Sequence, residues 1–224
     1  MLEPRPFIRS REFQKKSEIP GEITGLYFVI DVIKALDIAL WPLDHPRDRI
    51  PVRGFRREGV IAPAQMAAVL IPIIMRHDEP TILFTHRSEA LSTHAGQVSF
   101  PGGKIESTDH DAVATALRET HEEVGIEAHS VSPVGLLDFY DTITDFRILP
   151  VVGVVEEAVN VYADQREVAA VFEVSLSELR CEDRYQKHTV SMLGQEHHYH
   201  SFQHEDYLIW GATAAMLRNL IKKI

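Results

Sequence analysis

Cysteine is nearly absent. Cys181 is the only one in 224 residues, so no intrachain disulfide can form. With no base or cationic neighbourhood in the sequence around it, it reads as a passive thiol. Long apolar runs are missing as well. The most apolar early segment, Leu26 to Leu40, is interrupted by Asp31, Lys34 and Asp37 and is short for a bilayer span. The opening Met-Leu-Glu-Pro-Arg-Pro has none of the apolar core of a secretory signal. Basic charge is in deficit, with 23 Lys and Arg against 33 Asp and Glu, a formal net charge of -10. That balance excludes sequence-independent nucleic-acid binding, which relies on basic surface to displace counterions. It leaves a phosphorylated small molecule open, because a bound divalent cation reverses the local field. Internal repeats and low-complexity tracts are also lacking. We therefore expect a cytoplasmic protein with neither a membrane nor a nucleic acid as partner.

What the chain does have is concentrated between Phe100 and Ile126. In Arg118-Glu119-Thr120-His121-Glu122-Glu123, residues three and four apart share a helix face, so Glu119, Glu122 and Glu123 project to one side within a turn. Three crowded carboxylates need a cation, and hard oxygen donors of this kind suit Mg2+ or Mn2+. Thr108 and Asp111 stand in capping-box spacing, with Asp109 as a second candidate cap. Val113, Leu117 and Val124 mark an apolar face, Ala112, Thr115 and Ala116 keep the intervening turns small, and Gly125 offers a left-handed stop. The carboxylates then lie near the negative end of the helix dipole, which favours a cation further. Upstream, Phe100-Pro101-Gly102-Gly103-Lys104 reads as a turn whose glycines let the backbone approach a ligand, with amides that could meet a phosphate.

In chain order, residues 1 to about 24 are polar and proline-punctuated and read as an extended arm. Leu26 to Trp41 reads as an amphipathic helix that packs on the domain or on a second copy in a homodimer. Pro42, Pro46 and Pro51 end it, and Arg47, Arg49, Arg53, Arg56 and Arg57 cluster after it, as a solvated linker or a phosphate-reaching patch. The regular core starts near Met66. Strands are predicted at Met66 to Met75, Thr81 to Arg87, Gln97 to Phe100, Val134 to Tyr140, Arg147 to Val155 and Glu167 to Val174. Ser175 caps a short helix, Lys187 to Leu193 and His197 to Phe202 form a hairpin around Gly194, and Ile209 to Ile224 closes the chain as a helix with Leu217, Leu220 and Ile221 inward. Strands that surround two helices without regular alternation predict a mixed sheet between helices.

Residues 102–126 resemble the box of the Nudix hydrolases, whose pattern is Gly, five residues, Glu, seven residues, Arg-Glu-aliphatic-x-Glu-Glu-x-Gly-aliphatic. Arg118, Glu119, Glu122, Glu123, Gly125 and Ile126 meet its second half. Thr120 stands where an aliphatic residue is usual. The first half is one residue longer, so counting from Gly103 reaches Asp109 while counting back from Arg118 reaches His110. The longer box, with Thr85-His86-Arg87-Ser88, Leu91, His94, Gly96-Gln97-Val98 and Phe100-Pro101-Gly102-Gly103 before it, resembles the subgroup that acts on coenzyme A. Ser92 occupies the place of an arginine in that signature, and Phe84 that of a leucine. Trp210-Gly211-x-Thr213-Ala214 is similar to the subgroup's closing helix.

The resemblance implies an α/β fold, an alpha-beta-alpha sandwich around a mixed β-sheet, with residues 1–65 as an N-terminal extension and 66–224 as the Nudix domain. It implies a metal-dependent hydrolase that cleaves the diphosphate of coenzyme A or its thioesters. The alternatives are ADP-ribose or another nucleotide as substrate, or a non-catalytic nucleotide-binding sensor, which the intact glutamates disfavour. Glu119, Glu122 and Glu123 would hold Mg2+ or Mn2+, and Arg118, about 100° of helical rotation from Glu119, would orient a neighbouring carboxylate. Glu167 is the candidate general base, with Glu119 and Glu122 as alternatives. Arg87, His94, Gln97 and Lys104, with Gly102 and Gly103, are the candidates for contact with a nucleotide diphosphate. His197, His198, His200 and His204 invite a metal reading, but no Cys or carboxylate pattern accompanies them, and an exposed hairpin that gains charge at low pH is the simpler one.

Overall fold

The computed structural model describes residues 22–55, 65–156, 159–192 and 195–224, with backbone alone for 22–30, 192 and 195. The proposed arm up to residue 21, Arg56, Arg57 and the hairpin tip at Gly194 lie outside the described residues, while residues 22–24 belong to the first helix, which runs Glu22–Ala39 rather than Leu26 to Trp41. In chain order the elements are α1 (Glu22–Ala39), β1 (Val52–Gly54), β2 (Gln65–Ile74), β3 (Thr81–Arg87), β4 (Val98–Ser99), β5 (Gly102–Lys104) and α2 (Ala112–Val124). They continue with β6 (Val131–Leu136), β7 (Phe139–Asp141), β8 (Phe146–Val155), β9 (Val168–Ser175), α3 (Leu176–Leu179), β10 (Tyr185–Met192), β11 (Gln195–His204), β12 (Tyr207–Trp210) and α4 (Gly211–Ile221). Among the described residues, no helix is long and apolar enough to cross a membrane.

The sheet is built on β2 and β8, which run parallel in register from Gln65 opposite Phe146 to Ile74 opposite Val155. Their near-continuous apolar sequences fit strands covered on both faces. Antiparallel partners extend the sheet through β3, β9 and β4 on one side and β6 and β7 on the other, and β1 adds a parallel edge on β7. Val69, Ile71 and Ile73 of β2 join Val32 and Leu36 of α1, Leu40 just after it, and Leu217 and Leu220 of α4 in one cluster. Ala68, Leu70 and Ile74 join Ala112, Ala116 and Val124 of α2 in the other. The result is helices on both faces of a mixed sheet, the sandwich expected. A separate antiparallel sheet, β10-β11-β12, adds Phe202 and Ile209 to the first cluster.

Four local expectations are corrected. The run Val134 to Tyr140 is two strands, because Trp41 pairs with Leu136 through both backbone bonds, 2.9 and 2.8 Å, and the chain then turns Asp138 inward. The glycine turn after Phe100 contains a strand, β5, laid so close to β2 that a Cβ on Gly102 would stand 2.4 Å from the Ala68 carbonyl. The closing helix begins at Gly211 rather than Ile209, since Ile209 pairs with Phe202 in the small sheet and Gly211 turns the chain at φ 62. Strand β2 starts at Gln65 and stops at Ile74, one residue before the expected end at each side.

Residues 31–55 pack against the domain. Beyond the apolar contacts of α1, Asp138, 3% exposed, accepts hydrogen bonds from Trp41 Nε1 at 2.8 Å and Asn219 Nδ2 at 3.2 Å, and a shorter one from Arg53 Nε. Of the arginine cluster, Arg47 donates to the carbonyls of Leu43 and His45, and Arg53 is spent on Asp138.

Candidate functional site

Helix α2 starts at Asp111, whose carboxylate accepts from Ala114 N at 2.8 Å; Thr108 is not the cap. It stops at Gly125, which adopts φ 72 and donates to the His121 carbonyl. The expected face packs on the core, with Val124 fully buried, but it is not all of the most buried surface. Val113 and Leu117 are only half-buried, while Ala112, Thr115, Ala116, Thr120, Glu123 and Val124 are buried. The helix lies against β2 and β5, and only short side chains fit there. Thr120 satisfies its buried hydroxyl on the Ala116 carbonyl at 2.6 Å, which is how a polar residue occupies a position that is usually aliphatic.

Burying that face separates the three glutamates. Glu119 and Glu122 both accept from one nitrogen of Arg118, at 3.0 and 3.1 Å. Arg118 is held from behind by Asp109, which takes its Nε at 2.9 Å and its second terminal nitrogen at 3.0 Å, and by the Lys104 carbonyl at 3.3 Å. The paired guanidinium, with the Glu106 N–H and the Thr115 hydroxyl, keeps the Asp109 carboxyl far below the usual carboxylate range. His110 is 93% exposed and touches only its neighbour Asp111. Of the two residues reached by the counts, Asp109 is the one that partners Arg118, and the count from Gly103 was the signal that could have found this contact.

Glu123, 3% exposed, turns the other way and accepts from Gly102 N at 3.2 Å and from Arg87 at a long 3.5 Å. Burial pushes its carboxyl up to about 8; Arg87 and the Gly102 N–H pull it back, and the charges of Glu119 and Glu167 push it further. Burial also raises Glu119, with Arg118 opposing and Glu122 and Glu167 adding to the rise. Glu167, distant in sequence, is therefore close enough to be felt by both. A Cβ on Gly103 would stand 2.3 Å from the Glu119 carboxylate, so the second glycine makes the cradle in which that side chain lies.

The residues expected to meet substrate divide. Arg87 is brought to Glu123, and its Nε is buried with no partner among the described residues. The Gly102 amide is engaged by Glu123 rather than free for a phosphate. Gln97 pairs with the His94 ring at 2.9 Å. Lys104 Nζ stands 5.5 Å over the Phe146 ring, beside the Arg118 end of the site. The histidine tract disperses: His197 packs on Phe55, His198 on Thr189, His200 on Arg218 and His204 on Glu178.

In the present side-chain positions no three His, Cys, Asp or Glu among the described residues are arranged to hold a metal ion. A cation is already there in part, since Arg118 stands between Glu119 and Glu122. The donor set still fits a hard divalent ion. It is all carboxylate oxygen, and two of its members are disfavoured as anions by burial and mutual repulsion, which a cation would relieve.

A model of the NUDIX domain matches residues 64–204. The chain belongs to the Nudix family. It is 41% identical over 160 residues to a protein named Uncharacterized Nudix hydrolase NudL from Enterobacter sp. (strain 638), covering 71% of this chain and 83% of that one. The NudL of Escherichia coli (strain K12 / DH10B) is also 41% identical over 160 residues, with the same coverage. Among solved structures, a NUDIX hydrolase from Alicyclobacillus acidocaldarius aligns with a TM-score of 0.47 at 15% identity, over 73% of this chain and 93% of that one. As a Nudix hydrolase the protein is a pyrophosphohydrolase acting on nucleotide-like substrates, of a family that generally uses divalent metal ions. The family pattern's first glutamate falls at Asp109 when counted from Gly103 and at His110 when counted back from Arg118.

Proposed function

We propose that this Nudix hydrolase acts in the cytoplasm on coenzyme A or its thioesters, cleaving the diphosphate to 4'-phosphopantetheine and adenosine 3',5'-bisphosphate. One observation carries the reading. The upstream signature and the box form a single unit, because Arg87 from the first and Gly102 from the junction both bind Glu123 from the second. A signature read as specific to coenzyme A is thus wired into the carboxylate set that would do the chemistry.

Glu119, Glu122 and Glu123 would hold Mg2+ or Mn2+; when bound, the ion supplies charge neutralisation on the diphosphate. The chain's own residues supply the rest. Glu167 accepts a proton from the attacking water as a P–O bond forms to that oxygen and the bridging P–O bond breaks onto the departing phosphate. Arg118, anchored on Asp109, keeps Glu119 and Glu122 aimed at the same place. Arg87, Gln97, Gly102, Gly103 and Lys104 would meet the diphosphate, and Arg87 carries the buried donor that still needs an acceptor.

Ser92 favours a second reading, in which ADP-ribose or another nucleotide diphosphate is the substrate, since it lacks the charge of the arginine in the coenzyme A signature. A turnover screen of coenzyme A, an acyl-coenzyme A, ADP-ribose and nucleoside triphosphates, with Mg2+ and Mn2+ and beside Glu122→Gln, separates the two. Cleavage of coenzyme A that the variant loses is expected. Cleavage of ADP-ribose alone would keep the chemistry and overturn the substrate, and binding without cleavage would make the protein a sensor.

A further inference from the structure

We propose that the turn at Asp164 is a positioning device for Glu167, tying the candidate base to the backbone of α2 at Glu123. The inference rests on the reading of Glu167 as the base.

A helix leaves its last carbonyls without partners. Here the segment after Val159 supplies them: Tyr162 N donates to the Val124 carbonyl at 2.9 Å and Asp164 N to the Glu123 carbonyl at 3.0 Å. Tyr162 also lies over Gly125, where an added Cβ would meet its ring at 3.3 Å. The Asp164 carbonyl then accepts from Glu167 N at 2.9 Å and Val168 N at 2.8 Å, closing a turn that leads directly into β9. On the far side the Glu167 carbonyl accepts from Ser88 N at 2.8 Å, one residue after Arg87. Backbone bonds therefore fix Glu167 between the end of the box helix and the end of β3. The residue that offers a carboxylate to the site, Glu123, holds this turn with its own carbonyl.

The Asp164 side chain shapes the turn. Its Oδ1 accepts from the Arg166 N–H and Nε, both at 3.0 Å. The Arg166 guanidinium is 88% exposed, so the ion pair contributes little energy. The bond to the Arg166 backbone is the part that sets geometry, because an aspartate that accepts two residues on mimics a backbone turn. Placement of this kind matters, since small displacements of a reacting group cost rate steeply.

The test is a double-mutant cycle on the full chain with Mg2+, using whichever of coenzyme A and ADP-ribose turns over. Asp164→Ala is expected to lower kcat about tenfold with KM within about twofold. Asp164→Asn keeps the acceptor for the Arg166 N–H and is expected to recover most of that loss. In a Glu167→Gln background, Asp164→Ala is expected to cost less than about twofold more, because its effect runs through the removed group. A full additive loss in that background, a loss expressed in KM, or an Asp164→Asn variant as impaired as the alanine would overturn the proposal while Glu167 keeps its role. Glu167→Gln with undiminished turnover would overturn the base assignment itself.

Discussion

Two carboxylates of this protein are equally hidden, Asp138 and Glu123, each 3% exposed. Asp138 receives three donors, from Trp41, Arg53 and Asn219, and these outweigh its burial and hold it below the ordinary aspartate range. Glu123 has one backbone N–H and one long arginine contact, and burial lifts it up to about 8. A buried charge that is fully hydrogen-bonded closes a structure, while one left short of partners is available for chemistry. Asp138 fastens the segment before β1 and helix α4 to the sheet. Glu123 sits where the family pattern places its carboxylates.

The largest effect should separate them by function. Glu123→Gln is expected to reduce turnover about a thousandfold while the protein melts no lower than the parent. Asp138→Ala, by contrast, should leave kcat within about twofold but destabilise the fold by about 3 kcal/mol, measured by denaturant unfolding. A destabilised Glu123→Gln or an inactive Asp138→Ala would erase the distinction.

The pH dependence of stability should have opposite signs at the two sites. Glu123 is raised from 4.5, so its contribution in the metal-free protein is full below 4.5 and lost as pH rises through about 8. Wild type should thus weaken against Glu123→Gln by about 4 kcal/mol between about pH 5 and about pH 9. Asp138 is lowered from 3.8, so its contribution is present above 3.8 and lost as pH falls through its depressed value. The gap between wild type and Asp138→Asn should accordingly close in acid. Melting curves of the three proteins across pH check both slopes. The smallest expected effect is at Gly103: Gly103→Ala pushes against the Glu119 carboxylate and should lower kcat about tenfold with little change in stability.

The sequence made one of these sites far more legible than the other. The box glutamates stand within five residues of one another, and helical spacing puts Glu119, Glu122 and Glu123 in one neighbourhood, although the fold then turns Glu123 towards Gly102 and Arg87. Asp138 was invisible because its donors lie 97, 85 and 81 residues away in sequence, and no local pattern announces such a meeting. The positions of several strands followed from apolar runs, with Thr81–Arg87 falling where periodicity put it, while their order in the sheet did not. The predicted face of helix α2 packs on the core, but the helix's close approach to β5 is a tertiary fact that gives the deepest positions to short side chains and leaves Val113 and Leu117 half-buried. Likewise Gly102 to Lys104 looks like a turn until β2 is there to pair with it.

On the function proposed above, Glu123 is short of partners because it serves a cation. A Mn2+ binding isotherm in the absence of any substrate, on wild type, Glu123→Gln and Asp138→Asn, tests it most directly. The account predicts that Glu123→Gln weakens binding by at least about tenfold while Asp138→Asn binds as wild type does. Undiminished binding by Glu123→Gln would contradict it.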